Sequence, residues 1–238
     1  MKVALLRVGI DSGAGGMQGP LFKDGKFEFV PIPGWAGSRT YGNTVGRYQR
    51  KRKLLEYFRT EHSQSKYADR LIHDDPEFGT FTYGDPNRPK RGLHRLENGD
   101  LLVFYSGLEP WPKGGRKELF IVGYFIVEVA GLATDFTPEK LKNLFSKNAH
   151  LLDRNKSLQK RKNLVLVKGG RGSRLLRKAY LISSVGRNCL GRPLKVLSPK
   201  MRKIFGHFGG HISIERSIPR WVTPEYVECA AKFVRGLR

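Results

Sequence analysis

Asp11 is the residue whose type and position best suit catalysis. It opens a glycine-rich stretch, residues 11–16, that lies between two apolar runs. Glycine lets a ligand approach the backbone closely, and a carboxylate there can act as a general base or stabilise a developing charge. We therefore predict that Asp11 is catalytic if the protein is an enzyme; a turn-forming role is the alternative. The stretch lacks the Walker Lys-Ser/Thr and the GxGxxG pattern, which argues against binding of a nucleoside triphosphate or dinucleotide.

A group of acidic residues with one histidine interrupts the basic middle of the chain. Its members are Asp69, His73, Asp74, Asp75, Glu77 and Asp85. Such a group could hold a metal ion, activate a water or accept a hydrogen bond from an exocyclic base amine. The alternative is a surface loop whose carboxylates pair with nearby Arg and Lys. His207 and His211 suit one metal ion only on a helix, which the glycines between residues 206 and 211 oppose, so we predict no metal and no cofactor.

The cysteines and serines give no sign of nucleophilic catalysis. Cys189 and Cys229 have no CxxC companion, and the chain contains no GxSxG elbow. Neither a zinc knuckle nor a disulfide framework is indicated, and so few cysteines are typical of a reducing, cytoplasmic compartment. Abundant Lys and Arg with few Cys also fit a heat-adapted source.

The charge balance predicts a polyanionic partner. Lys and Arg number 44 against 21 for Asp and Glu, which gives a formal net charge of +23. This excess is far larger than solubility requires, and nucleic acid is the partner that it favours, with DNA preferred over RNA. The first eleven residues are too short and too soon charged for a signal peptide, and no long apolar span is evident, so we expect no membrane association. The oligomeric state is left open.

Two basic clusters are the predicted phosphate contacts. Residues 154–178 contain many Lys and Arg and no Asp or Glu, and a second cluster covers residues 47–53 on a predicted helix. Basic side chains on phosphates supply affinity without reading sequence. The residues that we select from both clusters are Arg47, Arg50, Lys168, Arg171, Arg174, Arg177 and Lys178.

The elements that must position these residues are predicted to form an α+β fold with a mixed or antiparallel sheet. Strands are expected over residues 3–10, 27–32, 101–105, 119–130, 163–168 and 178–185. Helices are expected over residues 47–58, from Thr137 to about Leu152, and from Thr223 to the carboxyl terminus. Residues 34–95 lack continuous apolar periodicity, so we predict a functional insertion there within a single domain of residues 1–238.

The strand pair at residues 98–106 and 120–129 carries a recognisable pattern. A Gly-Asp turn precedes an apolar run ending in Phe-Tyr, and Ile-Val-Gly then begins a second run ending in Glu-Val. This pairing resembles the central strands of PUA-like barrels, including their EVE, ASCH and YTH branches. The resemblance implies a PUA-like sheet or barrel, decorated here by helices and by the insertion.

Several further segments extend the resemblance over most of the chain. They are VGIDSGAGG at residues 8–16, TYGNT at 40–44, TYGD at 82–85 and GDLLVFY at 99–105. Together they are similar to the nucleotide modification associated domain 3 family. That family is associated with DNA-base modification systems, so the resemblance implies nucleic-acid chemistry without naming a reaction.

PUA-like proteins hold an unstacked base in a pocket between strands, where aromatic faces stack on it. The residues that we predict for such a pocket are Tyr41, Asn43, Tyr83, Tyr105, Ser106 and Trp111. Tyr105 and Asp11 are expected to border one cavity. The alternative for each aromatic residue is a place in the hydrophobic core.

These observations favour a nucleic-acid-binding protein that recognises an unstacked or modified base. A second hypothesis is an enzyme that acts on that base, such as a glycosylase or another base-modifying enzyme, through Asp11 or the acidic group. A third is a structural RNA-binding protein, for which charge suffices and no pocket is needed.

Overall fold

The computed structural model describes residues 1–13, 15–35, 37–152, 162–210 and 213–238. The strands of these residues are Val3–Arg7 (β1), Gly19–Leu21 (β2), Ile32–Pro33 (β3), Ile72–His73 (β4), Thr82–Asp85 (β5), Leu101–Pro110 (β6), Glu118–Leu132 (β7), Val165–Gly169 (β8), Arg174–Leu181 (β9), Ser183–Arg187 (β10), Pro193–Leu197 (β11) and Arg220–Trp221 (β12). The α-helices are Glu61–Tyr67 (α1), Pro138–Phe145 (α2), Ala149–Leu152 (α3), Pro199–Phe205 (α4) and Val227–Arg235 (α5). The fold is α+β, as predicted.

The main sheet is open and mostly antiparallel. Its strand order is β12-β1-β6-β7-β8-β5, with β2 also paired to β6 and β9 also paired to β7. The parallel pairs among the described strands are β1 with β6 and β2 with β6. The two ends of this order, β12 and β5, do not meet, so the barrel alternative is wrong for the described part of the chain. The PUA-like assignment stays a prediction.

Strands β6 and β7 form the centre of the sheet because their sequences are apolar on both faces. The first eight residues of β6 are all buried, as expected for a strand covered on both sides. Phe104 and Phe125 pack edge to face at 4.7 Å, and Phe78 contacts both rings. Helix α5 adds Ala230 and Val234 to the same core. Both central strands were predicted from the sequence, and the structure confirms them.

The described helices are short, and three of them, α1, α2 and α4, begin at polar caps. The Thr137 and Ser198 side chains accept hydrogen bonds from the amides of Lys140 and Met201, which starts α2 and α4. Within the described residues, no helix combines the length and the apolar character that crossing a bilayer requires.

The helix predicted over residues 47–58 is wrong. That segment is a loop followed by one 3-10 turn, Leu54–Tyr57. The fully buried Glu28 carboxylate accepts hydrogen bonds from the amides of Arg47, Tyr48 and Gln49 at 2.6–3.2 Å. The backbone forms a turn instead of a helix, because the Gly46 amide donates to the Arg52 carbonyl and the Leu54 amide donates to the Thr44 carbonyl.

Three other predicted elements also differ. The strand expected over residues 178–185 is divided, since β9 ends at Leu181 and β10 begins at Ser183. The apolar run 27–32 forms a strand only at its end, in β3, because Phe27 and Phe29 fill the core from irregular backbone. The helix expected to continue to Leu152 divides into α2 and α3, since the Asn148 side chain accepts the His150 amide and starts a new helix.

The start of β7 is tied to the β10–β11 hairpin through Glu118. Its carboxylate accepts a hydrogen bond from Ser183 at 2.5 Å and pairs with Lys195 at 2.9 Å. Burial alone would raise the pKa of Glu118, but the hydrogen bonds from Ser183 and Lys195 hold it below its usual value.

Candidate functional site

A pocket of about 200 Å³ lies at the carboxyl end of β1. Its lining residues are Arg7, Val8, Gly9, Asp11, Ile32, Asp75, Tyr83, Lys90 and Ser217. Two carboxylates and two basic side chains thus reach one small space from three separate parts of the chain. A cavity of this size with charged side chains in its wall can admit a small group such as a base or sugar.

Asp11 stands at the edge of this pocket beside a guanidinium. Its Oδ2 atom lies 3.2 Å from Arg7 Nη2, and its Oδ1 atom accepts the Gly13 amide at 2.8 Å. Gly9 makes the turn that brings Asp11 there: its φ is 76°, and a Cβ would lie 2.9 Å from Ser106 Oγ. Asp11 therefore forms a turn and also faces the pocket, so the two roles that we considered are compatible.

Lys90 and Tyr83 form another part of the pocket wall, with Asp85 behind them. Lys90 Nζ lies 2.5 Å from Asp85 Oδ2, and the Tyr83 hydroxyl donates to the same oxygen at 3.3 Å. Burial and the nearby carboxylates raise the pKa of Tyr83 well above its usual value, so its hydroxyl stays protonated. The charge of Asp85 is balanced by Lys90 and is fixed in place.

A buried group of two imidazoles and a carboxylate adjoins the pocket. His73, Asp75 and His150 are 3%, 8% and 4% exposed, and one side-chain nitrogen or oxygen atom of each lies within 4.8 Å of those of the other two. The two imidazole rings are 4.5 Å apart between centroids, and His150 Nε2 is 3.9 Å from Asp75 Oδ2. The Trp35 ring packs against both histidines, at 4.6 and 5.5 Å.

Burial raises the pKa of Asp75 to about 7, while the neighbouring His73 acts to lower it and Asp85 acts to raise it. Asp75 belongs both to this buried group and to the pocket lining. The group and the pocket are therefore parts of one candidate site.

Two glycines allow the group to form. Strand β3 pairs with β4, which sets Ile32 opposite His73, and a Cβ on Gly34 would lie 2.9 Å from His73 Cβ. On the other side, a Cβ on Gly84 of β5 would lie 2.8 Å from Asn148 Oδ1 and 3.2 Å from His150 Cδ2. Only residues without a side chain let β4, β5 and α3 approach this closely.

The family model for nucleotide modification associated domain 3 matches residues 2–234, nearly the whole chain. The chain belongs to the nucleotide modification associated domain 3 family. No curated protein and no solved structure matches it. The family assignment confirms the resemblance seen in the sequence, and the family's name associates the chain with nucleotide modification.

The expectation that Tyr105 and Asp11 border one cavity is wrong. Tyr105 is fully buried in the core, where its hydroxyl donates to the carbonyl of Ile214 at 3.0 Å. Ser106 is 3% exposed, and its hydroxyl lies under the Gly9 turn. The apolar character of β6 on both faces explains the error, since its aromatic residues have the core on either side.

The other predicted base-pocket residues are dispersed. Tyr41 is buried and donates to the Pro31 carbonyl, while Asn43 is exposed and accepts the Thr40 amide in a turn. Trp111 packs against Tyr57 and lies under the Arg52 guanidinium at 4.7 Å. Of the six residues predicted for that pocket, Tyr83 is the one that lines the pocket beside Asp11.

The acidic group of the sequence also divides. Asp74 pairs with Arg39, and Glu77 pairs with Arg47 at 3.1 Å, so these carboxylates face a different cleft. Asp75 and His73 turn inward to the buried group, whose third member, His150, the sequence reasoning did not single out. His207 is exposed, and His211 lies outside the described residues.

The predicted phosphate contacts occupy three environments. Arg174 and Arg177 line an open cleft of about 630 Å³ together with Ser173, Leu175, Arg235 and Arg238. Arg171, Lys178 and Arg50 are exposed elsewhere on the surface. Lys168 and Arg47 are engaged within the protein, since Lys168 donates to the Thr80 carbonyl and Arg47 pairs with Glu77. Two further arginines of the cleft were not predicted from the sequence. Arg235 is the last residue of α5, and Arg238 lies three residues beyond it.

Proposed function

We propose that this protein binds nucleic acid, DNA rather than RNA, along the cleft between β9 and the end of α5. The observation that carries the proposal is the convergence of four arginines on that cleft: Arg174, Arg177, Arg235 and Arg238. None of the six described residues that line it is acidic. Guanidinium groups bind phosphates through paired hydrogen bonds, and four of them on one surface suit a phosphate backbone.

The position of Arg174 supports this assignment. Its guanidinium lies over the Tyr124 ring at 5.7 Å from the centroid, and its Nε donates to the Gly172 carbonyl. One arginine of the cleft is thus held in place, whereas Arg177 is exposed and open to a ligand. The net charge of +23 would draw a polyanion to the molecule from a distance.

The test is the triple variant Arg177→Ala, Arg235→Ala and Arg238→Ala. Binding of labelled duplex DNA, single-stranded DNA and RNA is measured by fluorescence anisotropy at several salt concentrations. We expect weaker binding to all DNA sequences, and on duplex DNA a log–log salt slope shallower by about 0.9 for each phosphate that the variant no longer neutralises. RNA bound more tightly than DNA would overturn the preference for DNA.

The control carries the same loss of charge at other exposed positions, Arg70→Ala, Arg192→Ala and Arg216→Ala. If the cleft is the binding surface, this control keeps a steeper salt slope than the cleft variant. Equal losses in the two triple variants would show that net charge alone drives binding. That result would favour a structural RNA- or DNA-binding role without a defined surface.

A second function, the modification or excision of a base, is favoured by the polar pocket. Asp11 and Asp75 face a space large enough for a small polar group, and Arg7, Lys90 and Tyr83 surround it. In this proposal an unstacked base enters the pocket, and Asp11 acts as a general base or stabilises a cationic transition state.

The enzymatic proposal is tested with Asp11→Asn. Each protein is incubated with plain and modified oligonucleotides, and the products are analysed by mass spectrometry. The wild-type protein should turn over an oligonucleotide and the variant should not, while the variant's binding affinity should change little. Asp24→Asn is the matched control, because Asp24 also accepts the amide two residues ahead, that of Lys26, but does not line the pocket. Absence of turnover on every oligonucleotide would leave the binding function and reject the enzymatic one.

A further inference from the structure

We propose that His73, Asp75 and His150 bind a divalent transition-metal ion. Among the described residues, these three side chains form a group that could hold one metal ion, and all three are buried. The proposal goes beyond nucleic-acid binding, and it does not depend on the arginine cleft.

The spacing of the donor atoms fits one ion. All three donors lie within 4.8 Å of one another, and His150 Nε2 and Asp75 Oδ2 are 3.9 Å apart. Zinc binds imidazole nitrogen and carboxylate oxygen at about 2.0–2.2 Å, so two donors on one ion are at most about 4.4 Å apart. Small rotations of the side chains therefore bring all three into coordination distance.

The chemistry of the donors selects the class of metal. Two imidazoles and one carboxylate suit Zn²⁺, Fe²⁺ and neighbouring ions, whereas Ca²⁺ and Mg²⁺ prefer sites made entirely of oxygen. Three protein ligands leave at least one position for water or a substrate, which is the pattern of catalytic rather than structural sites. Because Asp75 also lines the pocket beside Asp11, an ion held there would border the space proposed for a base.

Neighbouring groups hold the ligands in place. The Gly84 amide donates to Asp75 Oδ1 at 3.4 Å, and the buried Asn148 side chain fixes the start of α3 through the His150 amide. Hydrogen bonds to a ligating carboxylate, like that from Gly84, orient ligands at metal sites, and losing such a supporting group costs about 10- to 100-fold in affinity. Gly84 also supplies the space that His150 and Asn148 occupy.

Direct binding to the full chain tests the site. The protein is stripped with a chelator, titrated with Zn²⁺, Co²⁺ or Mn²⁺ alone, and analysed for metal content after removal of excess ion. We expect one tightly held ion per chain and an absorption spectrum of bound Co²⁺ typical of mixed nitrogen and oxygen ligands. A stripped and folded protein that takes up none of the three ions would overturn the proposal.

Variants assign the ligands. His73→Asn, Asp75→Asn and His150→Asn should each weaken Zn²⁺ binding more than 10-fold, about the least that loss of a supporting group costs. His62→Asn is the matched control, because His62 is an exposed histidine on α1. Unchanged Zn²⁺ affinity in the ligand variants would place the ion elsewhere and reject the proposal.

Two further variants keep the test decisive if a ligand variant does not fold. Gly84→Ala retains all three ligands, but its Cβ would press on Asn148 and His150, so Zn²⁺ affinity should fall about 10-fold or more. Trp35→Phe should keep Zn²⁺ affinity while losing most of the fluorescence quenching caused by Co²⁺, because Trp35 packs against both histidines. Full affinity in Gly84→Ala, or undiminished quenching in Trp35→Phe, would contradict a site at this position.

Discussion

Replacing Tyr105 by Phe removes one buried hydrogen bond and leaves the packing of the ring intact. Tyr105 is fully buried, and its hydroxyl donates to the Ile214 carbonyl at 3.0 Å. A net hydrogen bond contributes about 0.5–1.5 kcal/mol, and a buried carbonyl left without a donor costs about 1–3 kcal/mol. We expect Tyr105→Phe to lower the free energy of unfolding by about 1–2 kcal/mol. In a chain of this length that corresponds to a melting temperature lower by about 2–8 °C.

Thermal denaturation followed by circular dichroism measures this loss, and oligonucleotide binding is measured on the same samples. Tyr48→Phe is the control, because Tyr48 is 39% exposed and its hydroxyl is 3.4 Å from Asp24. A surface change of that kind should alter stability by less than about 0.5 kcal/mol. If Tyr105→Phe left the melting temperature unchanged but reduced discrimination between modified and plain oligonucleotides, Tyr105 would be a pocket residue and the reasoning would be refuted.

Two ionic contacts give the remaining predictions. Lys90→Met should lower the free energy of unfolding by up to about 3 kcal/mol in chemical denaturation, because it leaves the buried Asp85 carboxylate without its cation. The double variant with Asp85→Asn should recover part of that loss. No recovery would contradict the pairing. Glu118 has a lowered pKa, so the stability that it contributes is present above the usual Glu pKa and is lost as the pH falls through the lowered value. Glu118→Gln should therefore reduce the melting temperature near pH 7 and reduce it progressively less as the pH falls below the usual Glu pKa, whereas an effect independent of pH would argue against the pKa shift.

The sheet could be predicted where the apolar pattern alone decides the structure. The first eight residues of β6 are buried and most of β7 is buried or half-buried, so their largely apolar and aromatic runs admitted few alternatives. Residues 47–58 could not be predicted in this way. Their conformation depends on the carboxylate of Glu28, which lies about twenty positions earlier and is buried only in the folded chain.

The candidate site could be predicted in part. Asp11 was found because a glycine-rich turn after a strand is a local feature, and His73 and Asp75 were found within the acidic group. His150 had no local signal, since it joins them only after α3 packs beside β5 across a gap of about seventy residues. The aromatic residues misled because stacking on a base and packing in a core require the same side chains.

The charges of the pocket show why a cation there would matter for an anionic ligand. Phosphate is repelled by carboxylates, yet three of them lie in or just behind the pocket of a protein that otherwise favours polyanions. Asp11 is balanced by Arg7, and Asp85 is balanced by Lys90. Asp75 instead faces two imidazoles, and burial penalises its charged form. A divalent ion at His73, Asp75 and His150 would stabilise that charge and make the pocket net positive, so the proposed metal site would favour the phosphate of a nucleotide whose base enters the pocket.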